Sequence, residues 1–186
     1  MVIAHKLILA TALLLLAACR SDPVQFHTLT PAETGDFSQP VGAEIQIEII
    51  NVPPQVDRQQ IVIRQSNSSL AILETQWWGA SLVDEMRSAL ADRLFNSSVG
   101  RNVSVRLDVQ RFDSLPGQYA LIDVKWRLRN LGSDNDTLIT CRSILKTPAG
   151  SSIDDVVIAH QNNVKKLAAD ITQAADNGAN QCPSIR

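Results

Sequence analysis

Three consecutive stretches in the second half of the chain alternate apolar and polar residues, and they constrain the fold more than any other feature. "NVSVRLDVQRF" places Val103, Val105, Leu107 and Val109 on one side, and "QYALIDVKWRLRN" sets Ile122, Val124, Trp126 and Leu128 against Asp123, Lys125, Arg127 and Arg129. "LITCRSILKT" is the third stretch. A period of two puts alternate side chains on opposite faces, so each stretch reads as a strand with one buried face. The breaks, "DSLPG" and "NLGSDNDT", carry turn chemistry, and the three strands form an antiparallel meander.

The period then changes. In "SIDDVVIAHQNNVKKLAADITQAAD", Val157, His160, Val164, Leu167 and Ile171 recur at spacings of three and four, the signature of an amphipathic helix. Ser152 and Asp155 resemble a capping box with Asp in the Glu position, and Gly178 is placed to end the helix. An earlier helix is expected in "GASLVDEMRSALADRLFN", with Leu82, Met86, Leu90 and Leu94 as the seam and Asp84, Glu85, Arg87 and Asp92 toward solvent. Before it, "VQFHTLT" alternates Val24, Phe26 and Thr28 as a strand. "AEIQIEII" puts Ile45, Ile47 and Ile49 on one face, and "QIVIRQ" and "SLAILET" form a hairpin across "SNSS". The fold class that follows is α+β: one domain with a largely antiparallel sheet and two main helices packed on one of its faces.

The N-terminus decides the compartment. The apolar run from Leu7 to Ala18 follows Lys6 and is too short for a bilayer, which takes about 20 apolar residues. A basic start, a short apolar stretch and small residues at a cut describe a secretory signal. Leu16, Ala17, Ala18 and Cys19 match the bacterial lipobox, so residues 1–18 are expected to be removed and Cys19 acylated. Several acyl chains on Cys19 give stable membrane anchoring, palmitate being a usual component. The residue after the lipidated cysteine directs sorting. Arg20, where Asp would retain the protein at the inner membrane, points to the periplasmic face of the outer membrane. Residues 19–23 form a short tether and 24–186 the domain. Cys141 and Cys182 are an even pair in an oxidising compartment, expected to bond to each other, with two free buried thiols as the alternative.

Catalytic chemistry is not visible. The domain holds His27 and His160 only, neither at metal-ligand spacing, and it lacks a nucleophile elbow, a phosphate loop and a dinucleotide fingerprint. No metal, cofactor or nucleic acid is expected; the net charge of −2 gives no electrostatic footprint for the last. "DNDT" at 134–137 reads as a turn rather than a calcium loop, and His160 as a core residue. Two surface candidates remain. Trp77 and Trp78 are adjacent, so in extended structure one can fill the core while the other points outward; both could also be buried. Asp57 and Arg58 precede an Ile-Val-Ile run. Arg58 either serves an interface, where Arg and Trp are enriched, or pairs with Asp57 or Glu74 and organises the loop.

At these segments the chain resembles the ABC-type transport auxiliary lipoproteins, the PqiC/YmbA-like group. Val56, Asp57, Arg58, Gln60, Ile61 and Val62 match that family's Pro-x-x-(Leu/Val)-Asp-Arg-x-Gln-(Ile/Leu)-Val run, and Trp77 or Trp78 its aromatic position. Phe26 and His27 stand where Tyr is usual, and "QWWGASL" replaces a more charged form. The resemblance implies a non-enzymatic outer-membrane lipoprotein that docks a protein with mammalian-cell-entry (MCE) domains in an ABC-linked system moving lipids or other hydrophobic molecules. It leaves room for contact with another copy of the lipoprotein. The alternative function is a periplasmic carrier that holds a lipid in an apolar pocket of its own.

Overall fold

The computed structural model describes residues 22–32, 45–95, 103–131, 138–177 and 181–183. Seven strands and two helices follow one another as β1 (Gln25–His27), β2 (Ile45–Asn51), β3 (Gln60–Arg64), β4 (Leu70–Trp78), α1 (Leu82–Phe95), β5 (Val103–Leu115), β6 (Tyr119–Asn130), β7 (Leu138–Pro148) and α2 (Ile153–Asp176). The α+β class is as expected. The strands divide into two sheets, a small one ordered β1-β4-β3 and a large one ordered β2-β5-β6-β7.

The meander forms the large sheet, with β5, β6 and β7 antiparallel and β2 added parallel to β5. Strand β5 continues to Leu115, so the turn is tighter than "DSLPG" suggests. Gly117 adopts φ 75°, a backbone region that favours glycine, and its N–H donates to the Gly150 carbonyl at 2.7 Å. Val105, Leu107, Ile122, Val124, Trp126 and Leu128 all turn to one face and are buried there. Both helices cover that face, α1 over β2 and α2 over β6 and β7, and they also touch each other. Leu82, Met86, Leu90 and Leu94 of α1 meet Val164, Leu167 and Ile171 of α2 in the same core cluster.

The capping box is present: the Ser152 hydroxyl accepts from the Asp155 N–H at 3.1 Å, and the Asp155 carboxylate accepts from the Ser152 N–H. The helix ends at Asp176 with Asn177 as its cap; Gly178 lies outside the described residues.

Two sequence expectations are corrected. Ile45, Ile47 and Ile49 do not share a face, because the register of β2 against β5 shifts between Ile47 and Ile49. The extra residue of a bulge reverses the alternation after it. Ile49 therefore points outward, 42% exposed, and Ile50 takes the buried place. Glu85 does not face solvent. It is buried, and its carboxylate accepts from the Leu29 N–H and the Thr28 hydroxyl, both at 2.8 Å.

The small sheet is built from the β3–β4 hairpin, whose turn is held by the Ser66 hydroxyl accepting from the Ser69 N–H, and from β1, which runs parallel to β4. Asp113 of β5 fastens it to the large sheet, receiving Arg64 at 3.0 Å and also pairing with Arg111. Cys141 and Cys182 are joined by a disulfide with a Cα–Cα distance of 5.6 Å, tying the segment after α2 to β7.

Candidate docking surface

Adjacent residues in β4 point to opposite faces, and this separates the two tryptophans. Trp78 is 2% exposed and meets Phe112 edge-on at 6.3 Å between ring centroids. It belongs to the core, which corrects its place among the partner-contact candidates. Trp77 turns the other way, half-buried, opposite Phe26 in the parallel register. Their rings meet edge-on at 6.2 Å, and Phe26 is 67% exposed. The indole N–H of Trp77 donates to the Glu74 carbonyl at 2.9 Å, fixing the ring.

Asp57 and Arg58 lie on the turn that leads into β3, whose first residue, Gln60, pairs with Trp77. The chain breaks at Pro53 and Pro54 because proline cannot extend the ladder, and the turn closes with the Val56 and Asp57 N–H groups donating to the Pro53 carbonyl. Val56 is buried and anchors the turn. The chain then enters β3 at Gln60, the cross-strand partner of Trp77, while the Trp78 N–H donates to the Gln59 carbonyl at 2.6 Å. Asp57 is exposed and Arg58 half-buried. Among the described residues Arg58 forms no ion pair with Asp57, Glu74 or any other acid, and its Nε is buried without a hydrogen-bond partner.

Strand β1 has only three residues, too few to hold a position by ladder bonds alone. Three side chains, His27, Gln161 and Glu85, hold it and the residues after it. His27 places Nε2 2.6 Å from Gln76 Oε1 and Nδ1 3.2 Å from Asp154 Oδ1 at the start of α2. Gln161 of α2 donates to the Thr28 carbonyl at 3.0 Å, and Glu85 of α1 holds Thr28 and Leu29 as described. Phe26 is thus presented by a strand clamped between both helices. Sequence periodicity misses Glu85 because its donors lie more than fifty residues earlier in the chain. One local trace exists: a Cβ at Gly79 would stand 3.0 Å from Glu85 Oε1.

Other ionisable groups are structural. His160 is fully buried, stacked on Phe112 at 3.9 Å with Nε2 2.9 Å from the Ser114 hydroxyl, and burial pushes its pKa down to about 3. Asp123 receives Arg142 through two hydrogen bonds at 2.8 and 2.6 Å, and this hydrogen bonding holds its carboxyl below the usual range despite burial. Among the described residues no three His, Cys, Asp or Glu side chains gather as a metal site, and no helix is long and apolar enough to cross a membrane. Cys19, Arg20 and residues 134–137 lie outside the described residues.

The fold defines the class first: a domain of two sheets fastened at β5, with both helices on one face. Two solved crystal structures share it. A Xanthomonas campestris protein of the family designated DUF330 is similar with a TM-score of 0.63 at 15% identity, covering 84% of this chain and 97% of its own. An uncharacterized protein is similar with a TM-score of 0.59 at 15% identity, covering 82% and 98%. No curated protein matches. The chain belongs to the family of ABC-type transport auxiliary lipoprotein components, whose model matches residues 25–172.

Proposed function

We propose that this lipoprotein is a non-catalytic docking component of an MCE-type transport system, held by acylated Cys19 at the periplasmic face of the outer membrane, with Arg20 directing it there. The observation that carries the reading is the corner formed by Phe26, Trp77 and Arg58. Exposed Phe26 meets half-buried Trp77, and Arg58, two residues before Gln60, the cross-strand partner of Trp77, has a buried Nε without a hydrogen-bond partner. Large aromatic rings and Arg supply most of the energy of typical protein interfaces. The partner is the MCE-domain protein, and Asp57 sits at the rim of the contact. The first residue of the corner, Phe26, is only seven residues after Cys19, which keeps it close to the anchor.

Membrane fractionation tests the anchor. Cys19→Ser releases the folded domain into the soluble fraction at high salt, and Arg20→Asp moves the wild-type anchor to the inner-membrane band of a density gradient. Quantitative retention of Cys19→Ser on membranes in high salt contradicts the anchoring. An unmoved Arg20→Asp protein contradicts the sorting.

A further inference from the structure

Among the described residues no helix covers the other face of the large sheet, and its charge is mainly basic. Strand β6 sends out Lys125, Arg127 and Arg129, flanked by Arg106 of β5 and Arg142 of β7. The register sets Arg106 directly opposite Arg127 and Lys125 directly opposite Arg142. Like charges placed so are destabilising in a sheet, and the face only partly offsets them. Glu48 pairs with Arg106 and Asp123 with Arg142. Lys125 has Asp108 as its ladder neighbour but, like Arg127, forms no ion pair among the described residues. This face is basic in a chain whose net charge is −2.

The surface has shape as well as charge. Arg106 and Arg127 line two adjoining depressions. One, of about 330 Å³, also takes in Lys125, Asp108, Thr140 and Ile49, and the other, of about 40 Å³, takes in Arg129, Glu48, Ser104 and Leu138. Between the cations stand aliphatic side chains: Ile49, Leu138 and Ile144 are 42%, 52% and 51% exposed. Trp126 of the same strand is turned inward and fully buried.

We propose that this face rests on a bilayer, with Arg106, Lys125 and Arg127 on anionic phospholipid headgroups and Ile49, Leu138 and Ile144 at the boundary beneath them. Arginine matches phosphate oxygens in geometry, and basic residues near an anionic surface each add to binding. The composition decides against an acidic protein as occupant. Protein interfaces combine Arg with aromatic rings, and the ring that strand β6 places between these cations, Trp126, is turned inward; cations interleaved with aliphatic side chains are the pattern of surfaces that settle on lipid. The inference rests on the anchoring by Cys19, which holds the domain within reach of headgroups, and it leaves the Phe26–Trp77 corner for the protein partner.

The test uses the mature acylated protein in bilayers of phosphatidylcholine alone or with one quarter phosphatidylglycerol. A fluorophore is placed at residue 140 on the open face, or at residue 165 on the exposed side of α2, with energy acceptors on the headgroups. Transfer from residue 140 should exceed that from residue 165 in anionic bilayers. The two should become equal in phosphatidylcholine, at high salt, and in Lys125→Glu/Arg127→Glu. Equal transfer in anionic bilayers, or a preference that survives the double reversal, overturns the proposal. So does binding of soluble polyglutamate by the open face without orientation on lipid, which assigns the face to an acidic protein. Protein that carries no acyl chain fails a different reading, that of Cys19. The open face then still requires salt-sensitive co-sedimentation with anionic vesicles, reduced about fivefold for each basic residue neutralised, and its absence overturns the proposal.

Discussion

The two sheets bury their inner faces in one core and differ in what they leave outside. The small sheet exposes aromatic rings at a corner, Phe26 against Trp77, on a strand clamped by His27, Glu85 and Gln161. The large sheet exposes a field of arginine and lysine with scattered aliphatic side chains and no such clamp. A ring pair held rigidly suits a partner of defined shape, because little conformational freedom is lost on contact. A broad basic field suits a partner that is charged but has no fixed shape. The difference underlies the proposals of protein contact for the small sheet and membrane contact for the large one.

The largest expected effect separates the neighbours in β4. Trp78→Ala removes a fully enclosed ring and should destabilise the domain by about 3–5 kcal/mol, whereas Trp77→Ala, at the surface, should change stability by no more than about 1 kcal/mol. Urea unfolding of both variants measures this. Similar losses at the two positions would mean that Trp77 is core and would dissolve the contrast on which the docking corner rests.

The next effect belongs to the large sheet. The Cys141–Cys182 bond closes a loop with a sequence separation of 41 residues, and Cys182→Ser should cost about 2–4 kcal/mol in the same assay. The loss should vanish when wild type and variant are compared under reducing conditions. It should leave the small-sheet corner intact, as read by pull-down.

A gradual, pH-dependent effect, small for each pH unit, comes from the joint between the sheets. Buried His160 stays neutral in the folded protein down to about pH 3, while in the unfolded chain it takes up a proton near its ordinary value of 6.5. The unfolded state therefore binds more protons in that window, and stability falls as pH drops from about 6.5 toward about 3, by at most about 1.4 kcal/mol per unit from this group. Asp123 acts in the same direction lower down. Its depressed pKa contributes stability above its ordinary value of 3.8 that is lost on further acidification. Denaturant titrations at pH 7, 6, 5 and 4 should show the slope in wild type and a flatter one in His160→Gln, whose baseline stability is lower. An equal slope in both would place the acid sensitivity elsewhere.

The large sheet was legible in the sequence because β5, β6 and β7 alternate over long runs, β5 up to its irregularity between Val109 and Arg111, and neighbouring strands are joined by short connections. The α2 helix was legible through its seam and its capping box. The small sheet was only half legible. Its hairpin followed from "SNSS", but the pairing of three-residue β1 with the end of β4 joins segments about fifty residues apart, and no local pattern announces a parallel contact at that distance. The same limit hid Glu85, whose reason for burial lies in Leu29. It also hid the division into two sheets, which depends on β5 outrunning β2 and receiving Arg64 at Asp113. Of the docking candidates, Asp57, Arg58 and Trp77 stand together as neighbours of Gln60, and Phe26 joins them through the β1 register. The bulge in β2 has no signature in "IQIEII", which reads as unbroken alternation until Ile50 is found inside and Ile49 outside.

The central claim is that the Phe26–Trp77–Arg58 corner docks the transport partner, and one measurement meets it directly: a pull-down from solubilised membranes using tagged wild type, Arg58→Glu, and Trp77→Ala, each with its melting temperature taken on the same preparation. The MCE-domain protein should be recovered with wild type. Recovery should fall with both variants, by roughly 2 kcal/mol or more in apparent affinity for Arg58→Glu, while melting temperatures stay near that of wild type. Undiminished recovery with both variants would contradict the claim, whatever their melting temperatures.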